Sequence, residues 1–204
     1  TGTNGKTTTT FLLEYLLNKL DKKTALLGTI FNRWNGFFEV SSHTTCFADK
    51  LQSRLFSALE ADVEYGILEV SSHAIAQKRI LGCEFKAVVF TNLSQDHLDY
   101  HLDMESYFQT KSKLFKLPYY DIEKGICIIN GDDKWCKRLL SELNGKSSII
   151  SIKKQKSDLE YKNFYYVTKK TFTVDGSYFD FHINEEKINL FVPLIGEFNL
   201  MNAI

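Results

Sequence analysis

The chain has 204 residues, with 25 basic and 25 acidic side chains and therefore no formal net charge. That length supports one sizeable core, and the charge balance gives no electrostatic case for a nucleic acid or an anionic membrane as partner. Four cysteines (Cys46, Cys83, Cys127 and Cys136) lack C-x-x-C spacing and read as free thiols in a reducing cytoplasm rather than as disulfides or a zinc site.

The chain opens on Thr1-Gly2-Thr3-Asn4-Gly5-Lys6-Thr7. This reads as the end of a phosphate-binding loop running into a helix. The two glycines allow main-chain N–H groups to converge on an anion. Lys6 can reach outer phosphates, and the Thr7 hydroxyl can ligate Mg²⁺. The helix predicted next carries Leu13, Leu16, Leu17 and Leu20 as its apolar positions, and its N-terminus adds partial positive charge. The usual pattern needs one more glycine and a strand before Thr1, so the chain reads as a piece of a longer protein.

Lys23–Ile30 follows as a short buried strand, and Asn35-Gly36 marks a hairpin within Phe31–Val40. A helix is predicted over Ala48–Ala61, with Leu51, Leu55, Phe56 and Leu59 on one face. Tyr65–Val70 is the next strand, and Ser71-Ser72 can cap a short helix through Arg79. Lys86–Thr91 and Gly125–Asn130 are further strands, alternating with helices over Met104–Phe115 and Lys134–Leu143. After Ser147 the segments Ile149–Ile152, Tyr161–Thr168, Thr171–Val174, Tyr178–Asn184 and Lys187–Val192 alternate and are rich in aromatic and β-branched residues. Gly196–Ile204 reads as a loop opening a helix. The expected fold class is α/β: a P-loop NTPase-like, mostly parallel sheet flanked by helices, with an antiparallel β extension over residues 147–194.

Three polar clusters fall at or beside the carboxyl ends of these strands, where such sheets collect ligands. Beside the opening loop, Glu69 interrupts an apolar strand and can bind the Mg²⁺ of a nucleotide; the alternative is a solvated strand end. Gln95–His101 packs two carboxylates and two imidazoles into seven residues. A metal site and a polar loop with capping aspartates are both open readings there. From pattern alone Lys111, mid-helix, reads as a surface lysine.

Together these stretches resemble the Mur ligase family. The matching residues are Thr1–Thr7, His43-Thr44-Thr45, Glu69–Ala74, Gln77 with Arg79, Phe90–Leu93, Asp96–His101, Tyr107–Phe115, and Gly196 with Phe198, Asn199 and Asn202. Glu-Val-Ser-Ser-His-Ala and Asp-His-Leu-Asp-Tyr-His favour the branch that adds the third residue of the peptidoglycan stem.

The resemblance implies that residues 1–204 are the central ATP-binding domain of such an enzyme, without its UDP-binding and amino-acid-binding flanking domains. It implies ATP-dependent amide formation on UDP-N-acetylmuramoyl-L-Ala-D-Glu through an acyl phosphate, with meso-diaminopimelate or L-lysine as the incoming amine. The expected protein is a cytoplasmic, monomeric ligase of peptidoglycan synthesis, and this stretch alone is not expected to ligate efficiently. Gly2, Thr3, Asn4, Gly5, Lys6, Thr7 and Thr8 would hold ATP, with Asn92, Asn199 and Asn202 near the adenine. Thr7 and Glu69 would hold one Mg²⁺. His97, and Lys111 as its carbamate, would serve a second. Lys6, Glu69, His97 and Lys111 would form the catalytic set. Thr44, Thr45, Ser71, Gln77 and Arg79 match positions that contact the UDP-sugar peptide. His43 departs from the usual asparagine and Cys46 from a common proline. The competing readings are a sibling Mur or folylpolyglutamate-type ligase and a non-catalytic P-loop module, in which Glu69, His97 and Lys111 would be idle.

Overall fold

The computed structural model describes residues 1–153, 161–183 and 186–204. Its internal contacts divide the chain into two units, Thr1 with Lys6–Cys83 and Gly2–Gly5 with Glu84–Ile204.

The first unit is built on β1 (Thr24–Leu27), an apolar strand with all four residues buried. It pairs in parallel with β4 (Tyr65–Leu68) and antiparallel with β2 (Phe31–Trp34). The predicted Asn35-Gly36 turn joins β2 to β3 (Phe37–Val40), with Gly36 at φ +78°. The sheet order is β3-β2-β1-β4.

Helix α1 (Lys6–Lys19) forms as expected, but Leu13, Leu16 and Leu20 are exposed. The buried side chain of α1 is instead Glu14. Arg33 of β2 donates from both Nε and Nη2 to the Glu14 carboxylate and stacks on Phe31, so an ion pair takes the place expected for leucine. Helix α2 (Ala48–Glu60) buries Leu51 and Ala58, while Phe56 and Leu59 point to solvent. The inward stripe is the narrow 51, 55, 58 line, and the other two residues lie off it. The short α3 (Ser72–Ala76) follows β4, with Ser71 Oγ accepting from Ala74 N at 3.2 Å as its cap.

The second unit carries a six-stranded sheet in the order β10-β9-β8-β7-β6-β5. β5 (Ala87–Phe90), β6 (Ile126–Asn130), β7 (Ser148–Ser151) and β8 (Asn163–Thr173) pair in parallel. β9 (Gly176–Ile183) and β10 (Glu186–Val192) continue it antiparallel. The antiparallel expectation for 147–194 is corrected at its start. β7 is buried along its whole length and lies between parallel neighbours, so among the described residues of that span the antiparallel pairs are β8 with β9 and β9 with β10. Residues 154–160 of that span, and the expected strand end at Asn184, lie outside the described residues.

The two segments expected either side of residue 170 are one strand. β8 passes from Thr168↔Asp180 to Thr171↔Tyr178 through a bulge, with Lys169 at φ +51°. Helix α4 (Met104–Ser112), a 3₁₀ turn (Lys113–Phe115) and α5 (Cys136–Glu142) accompany the parallel strands. α6 (Glu197–Ala203) buries Leu200 in a cluster with Ile152, Val167 and Phe179. The four cysteines are free as expected, and burial pushes the Cys127 and Cys136 thiols up to about 12.

Candidate functional site

In the first unit the polar groups gather around Glu69, which follows β4 directly and is about 1% exposed. Its Oε2 accepts from Thr7 Oγ1 at 2.9 Å and from Thr29 Oγ1 at 3.0 Å. Its Oε1 accepts from Thr29 N at 2.8 Å. A buried carboxylate is tolerable only with such a set of donors. A Cβ at Gly28 would overlap this carboxylate, so the end of β1 keeps room for it. The solvated reading of Glu69 is thereby set aside.

The residues expected to contact the UDP-sugar peptide lie in the same unit. Thr45 Oγ1 donates to Glu69 O at 2.7 Å and accepts from Ser71 N at 3.1 Å. Thr44 Oγ1 lies 3.2 Å from Thr29 Oγ1. Arg79 donates from Nε and Nη2 to Gln77 Oε1 at 2.8 and 2.6 Å, and from Nη1 to Thr45 O at 2.8 Å. Its guanidinium lies 4.3 Å from the Phe47 ring centroid, and His43 meets the same ring edge-on at 5.1 Å. One N–H on each Nη stays outside these bonds, which suits a planar anion. Lys6 and Thr8 stand in the first turn of α1.

In the second unit the loop residues Gly2–Gly5 are held by the segment after β5. Thr3 N donates to Asn92 O at 3.0 Å. The Asn92 side chain accepts from Asn4 N at 2.9 Å and donates to Asn4 O at 3.0 Å. Thr91 Oγ1 donates to Asn4 O at 2.6 Å. Gly2 and Gly5 lie at φ +151° and +86°, angles that favour glycine. A Cβ at Gly2 would overlap Thr91, and one at Gly5 would overlap the Asn202 amide. The structure thus brings Asn92 and Asn202 to the loop. Asn199 lies elsewhere on α6, its Nδ2 donating to Ile195 O at 2.9 Å.

A second layer supports the Thr91–Ser94 segment. Asn130 Nδ2 donates to Thr91 O at 2.6 Å, and Asp133 Oδ2 accepts from Leu93 N at 2.9 Å. Burial raises the Asp133 carboxyl, and its two backbone donors, Leu93 and Trp135, oppose that shift.

Lys111 is the largest departure from the pattern reading. It is about 1% exposed, donates from Nζ to Gly2 O at 2.9 Å, and sits 4.7 Å from the Tyr107 ring centroid. His97 meets the same ring edge-on at 6.2 Å and lies at φ +53°. Its backbone N donates to Asp96 Oδ1 at 2.9 Å. His101 turns inward against Tyr107 at 4.9 Å. The Asp96–His101 cluster forms no cage of its own: among the described residues, no three His, Cys, Asp or Glu side chains converge as a metal-binding group.

Three positions escaped the sequence reading. Thr29 was within reach, since a hydroxyl just past a buried strand sits where α/β sheets collect ligands. Tyr107 was legible from its four-residue spacing to Lys111, which puts both on one helix face. Asp133 gave no local signal, because its role depends on Leu93 of another strand end.

A glycine loop running into a helix, whose first-turn threonine meets a buried carboxylate, gives a P-loop-like α/β fold. Residues 1–204 match the Mur ligase middle domain, and the chain belongs to that family. It is 65% identical, over its full length, to the UDP-N-acetylmuramoyl-L-alanyl-D-glutamate–2,6-diaminopimelate ligase of Prochlorococcus marinus subsp. pastoris, and covers 40% of that protein. The same-named enzyme of Trichormus variabilis is 44% identical over 205 residues, again with 40% of its length covered. A solved structure of a ligase of that name superposes on 99% of this chain with TM-score 0.85 and 29% identity, over 40% of the solved chain. The chain therefore spans about 40% of the length of the curated relatives it matches.

Proposed function

We propose that this chain is the central ATP-using part of a ligase that adds 2,6-diaminopimelate, as the third stem residue, to UDP-N-acetylmuramoyl-L-Ala-D-Glu. The observation that carries the reading is the Glu69 carboxylate set 2.9 Å from Thr7 Oγ1 at the start of α1. Two hard oxygen donors side by side after a glycine loop are the donor chemistry Mg²⁺ takes with a nucleotide. The relatives' names favour diaminopimelate over lysine.

In this reading the N–H groups of Gly2–Gly5 and the Lys6 ammonium bind the ATP phosphates, with Thr8 in the same helix turn. Thr7 and Glu69 hold Mg²⁺, which when bound neutralises phosphate charge. His97, and Lys111 as its carbamate, are assigned to a second such ion. The contact of Lys111 with Gly2 O supports its place beside the phosphate loop. Asn92, Asn199 and Asn202, which by resemblance match positions near the adenine, are assigned to the ATP site, with Asn92 and Asn202 against its phosphate loop. Arg79, oriented by Gln77 and Phe47, offers its remaining N–H groups to an anionic part of the UDP-sugar peptide, alongside Thr44, Thr45 and Ser71. The dipeptide carboxylate takes the γ-phosphoryl group and ADP leaves; the amine then displaces phosphate to give the amide. Positioning and charge stabilisation by these side chains supply the catalysis.

The expected enzyme is a cytoplasmic monomer, and residues 1–204 by themselves are not expected to ligate efficiently. Among the described residues no helix is long and apolar enough to cross a membrane. The test is phosphate release by the full-length protein with ATP, Mg²⁺ and UDP-N-acetylmuramoyl-L-Ala-D-Glu, adding one diamino acid at a time. Release that needs both the dipeptide and diaminopimelate is expected. Release with lysine instead would overturn the amino-acid assignment. No release with any amino acid, despite ATP binding, would overturn this assignment in favour of a sibling ligase or a non-catalytic module.

A further inference from the structure

Tyr107 lies on α4 one turn before Lys111 and is about 1% exposed. Its hydroxyl is 3.3 Å from Thr3 Oγ1, in the phosphate loop. That threonine oxygen also accepts from Ser94 N at 3.0 Å and lies 3.2 Å from Ser94 O. A hydroxyl has one proton to give. With the Thr3 proton on Ser94 O, the phenol of Tyr107 is the donor to Thr3. The Tyr107 ring meanwhile sits under the Lys111 amine at 4.7 Å, and that amine donates to Gly2 O at 2.9 Å. Phenylalanine would fill the same volume. The hydroxyl's partner is Thr3 of the loop.

We propose that Tyr107 is a positioning residue for the nucleotide phosphates, pinning the loop at two points. Its hydroxyl fixes Thr3, and its ring packs against the Lys111 side chain, whose Nζ meets the carbonyl of Gly2. This rests on the reading of the loop as the ATP site.

The test uses the full-length protein. Tyr107→Phe removes one oxygen and keeps the ring. It is expected to raise KM for ATP roughly fivefold, with little change in KM for the UDP-muramoyl dipeptide or in the thermal midpoint. Thr3→Val removes the same bond from the loop side. In the double variant the rise should match that of the more affected single variant, not the product of the two. An unchanged KM for ATP in Tyr107→Phe, with or without a drop in thermal stability, overturns the proposal, and so do multiplicative effects. If the wild-type protein releases no phosphate, the ligase reading has failed. Titration of wild-type and Tyr107→Phe protein with a fluorescent ATP analogue then decides the positioning claim, equal affinities overturning it.

Discussion

Glu69 and Lys111 are both about 1% exposed, and they solve the problem of burial in opposite ways. Glu69 is an acceptor surrounded by donors: two threonine hydroxyls and one backbone N–H converge on its oxygens. Lys111 donates to the backbone carbonyl of Gly2 and has an aromatic face beneath it. The first arrangement fixes a negative charge in place through several directional bonds. The second sets a side-chain amine against a backbone carbonyl and over a ring face, a less directional contact. The difference teaches that burial of a charge at this site is offset by directional donors for the carboxylate, and by a carbonyl together with an aromatic face for the amine.

The largest expected effects break this comparison at its two poles. In the full-length protein, Glu69→Gln keeps the shape but puts an amide among donors, and should cut phosphate release by about 100-fold or more. Lys111→Met keeps the stem and removes the amine, and should do the same. Wild-type-like turnover in either variant would remove that residue from the catalytic set. Gly5→Ala comes next. At φ +86° with the Asn202 amide against it, a methyl group strains the loop, and nucleotide affinity should fall roughly tenfold. Calorimetric titration with ATP would show this, and an unchanged affinity would mean the loop yields.

Glu14→Gln sharpens the comparison with a third buried charge, one paired to Arg33. Arg33 is about two-fifths exposed, so the loss should be only about 1–2 kcal/mol, read from the urea midpoint, with turnover retained. The smallest effect is expected at Asp103, whose Oδ1 caps α4 by accepting from Ser106 N at 2.7 Å. That bond holds its carboxyl below the ordinary value of 3.8. The stabilisation is therefore present above that value and fades as pH falls through the lowered one. Asp103→Ala should melt slightly below wild type at neutral pH, and the gap should close in acid. A gap that persists in acid would show that the cap acts through something other than its charge.

The order of elements was legible because apolar runs and turn residues punctuate the chain, as at Thr24–Leu27 and Asn35-Gly36. Glu69 was legible because a carboxylate interrupting an apolar strand is conspicuous. Lys111 was not, since helix α4 offers no clean polar and apolar faces to place it against. Its burial follows from a carbonyl and a ring that only the folded chain supplies. The outward leucines of α1 were misjudged because the pairing of Glu14 with Arg33 joins residues on separate elements. No helix periodicity contains that information. Strand direction at β7 was also hidden, because a short buried strand reads the same in either sense.

Gly28 leaves no room beside Glu69, since any side-chain carbon there would meet the carboxylate. The two positions are therefore not free to vary alone. Gly28→Ala by itself should displace the acid from Thr7 and Thr29. Position 28 is thus tied to glycine for as long as glutamate stands at position 69, although 40 residues separate Thr29, the next residue along, from Glu69.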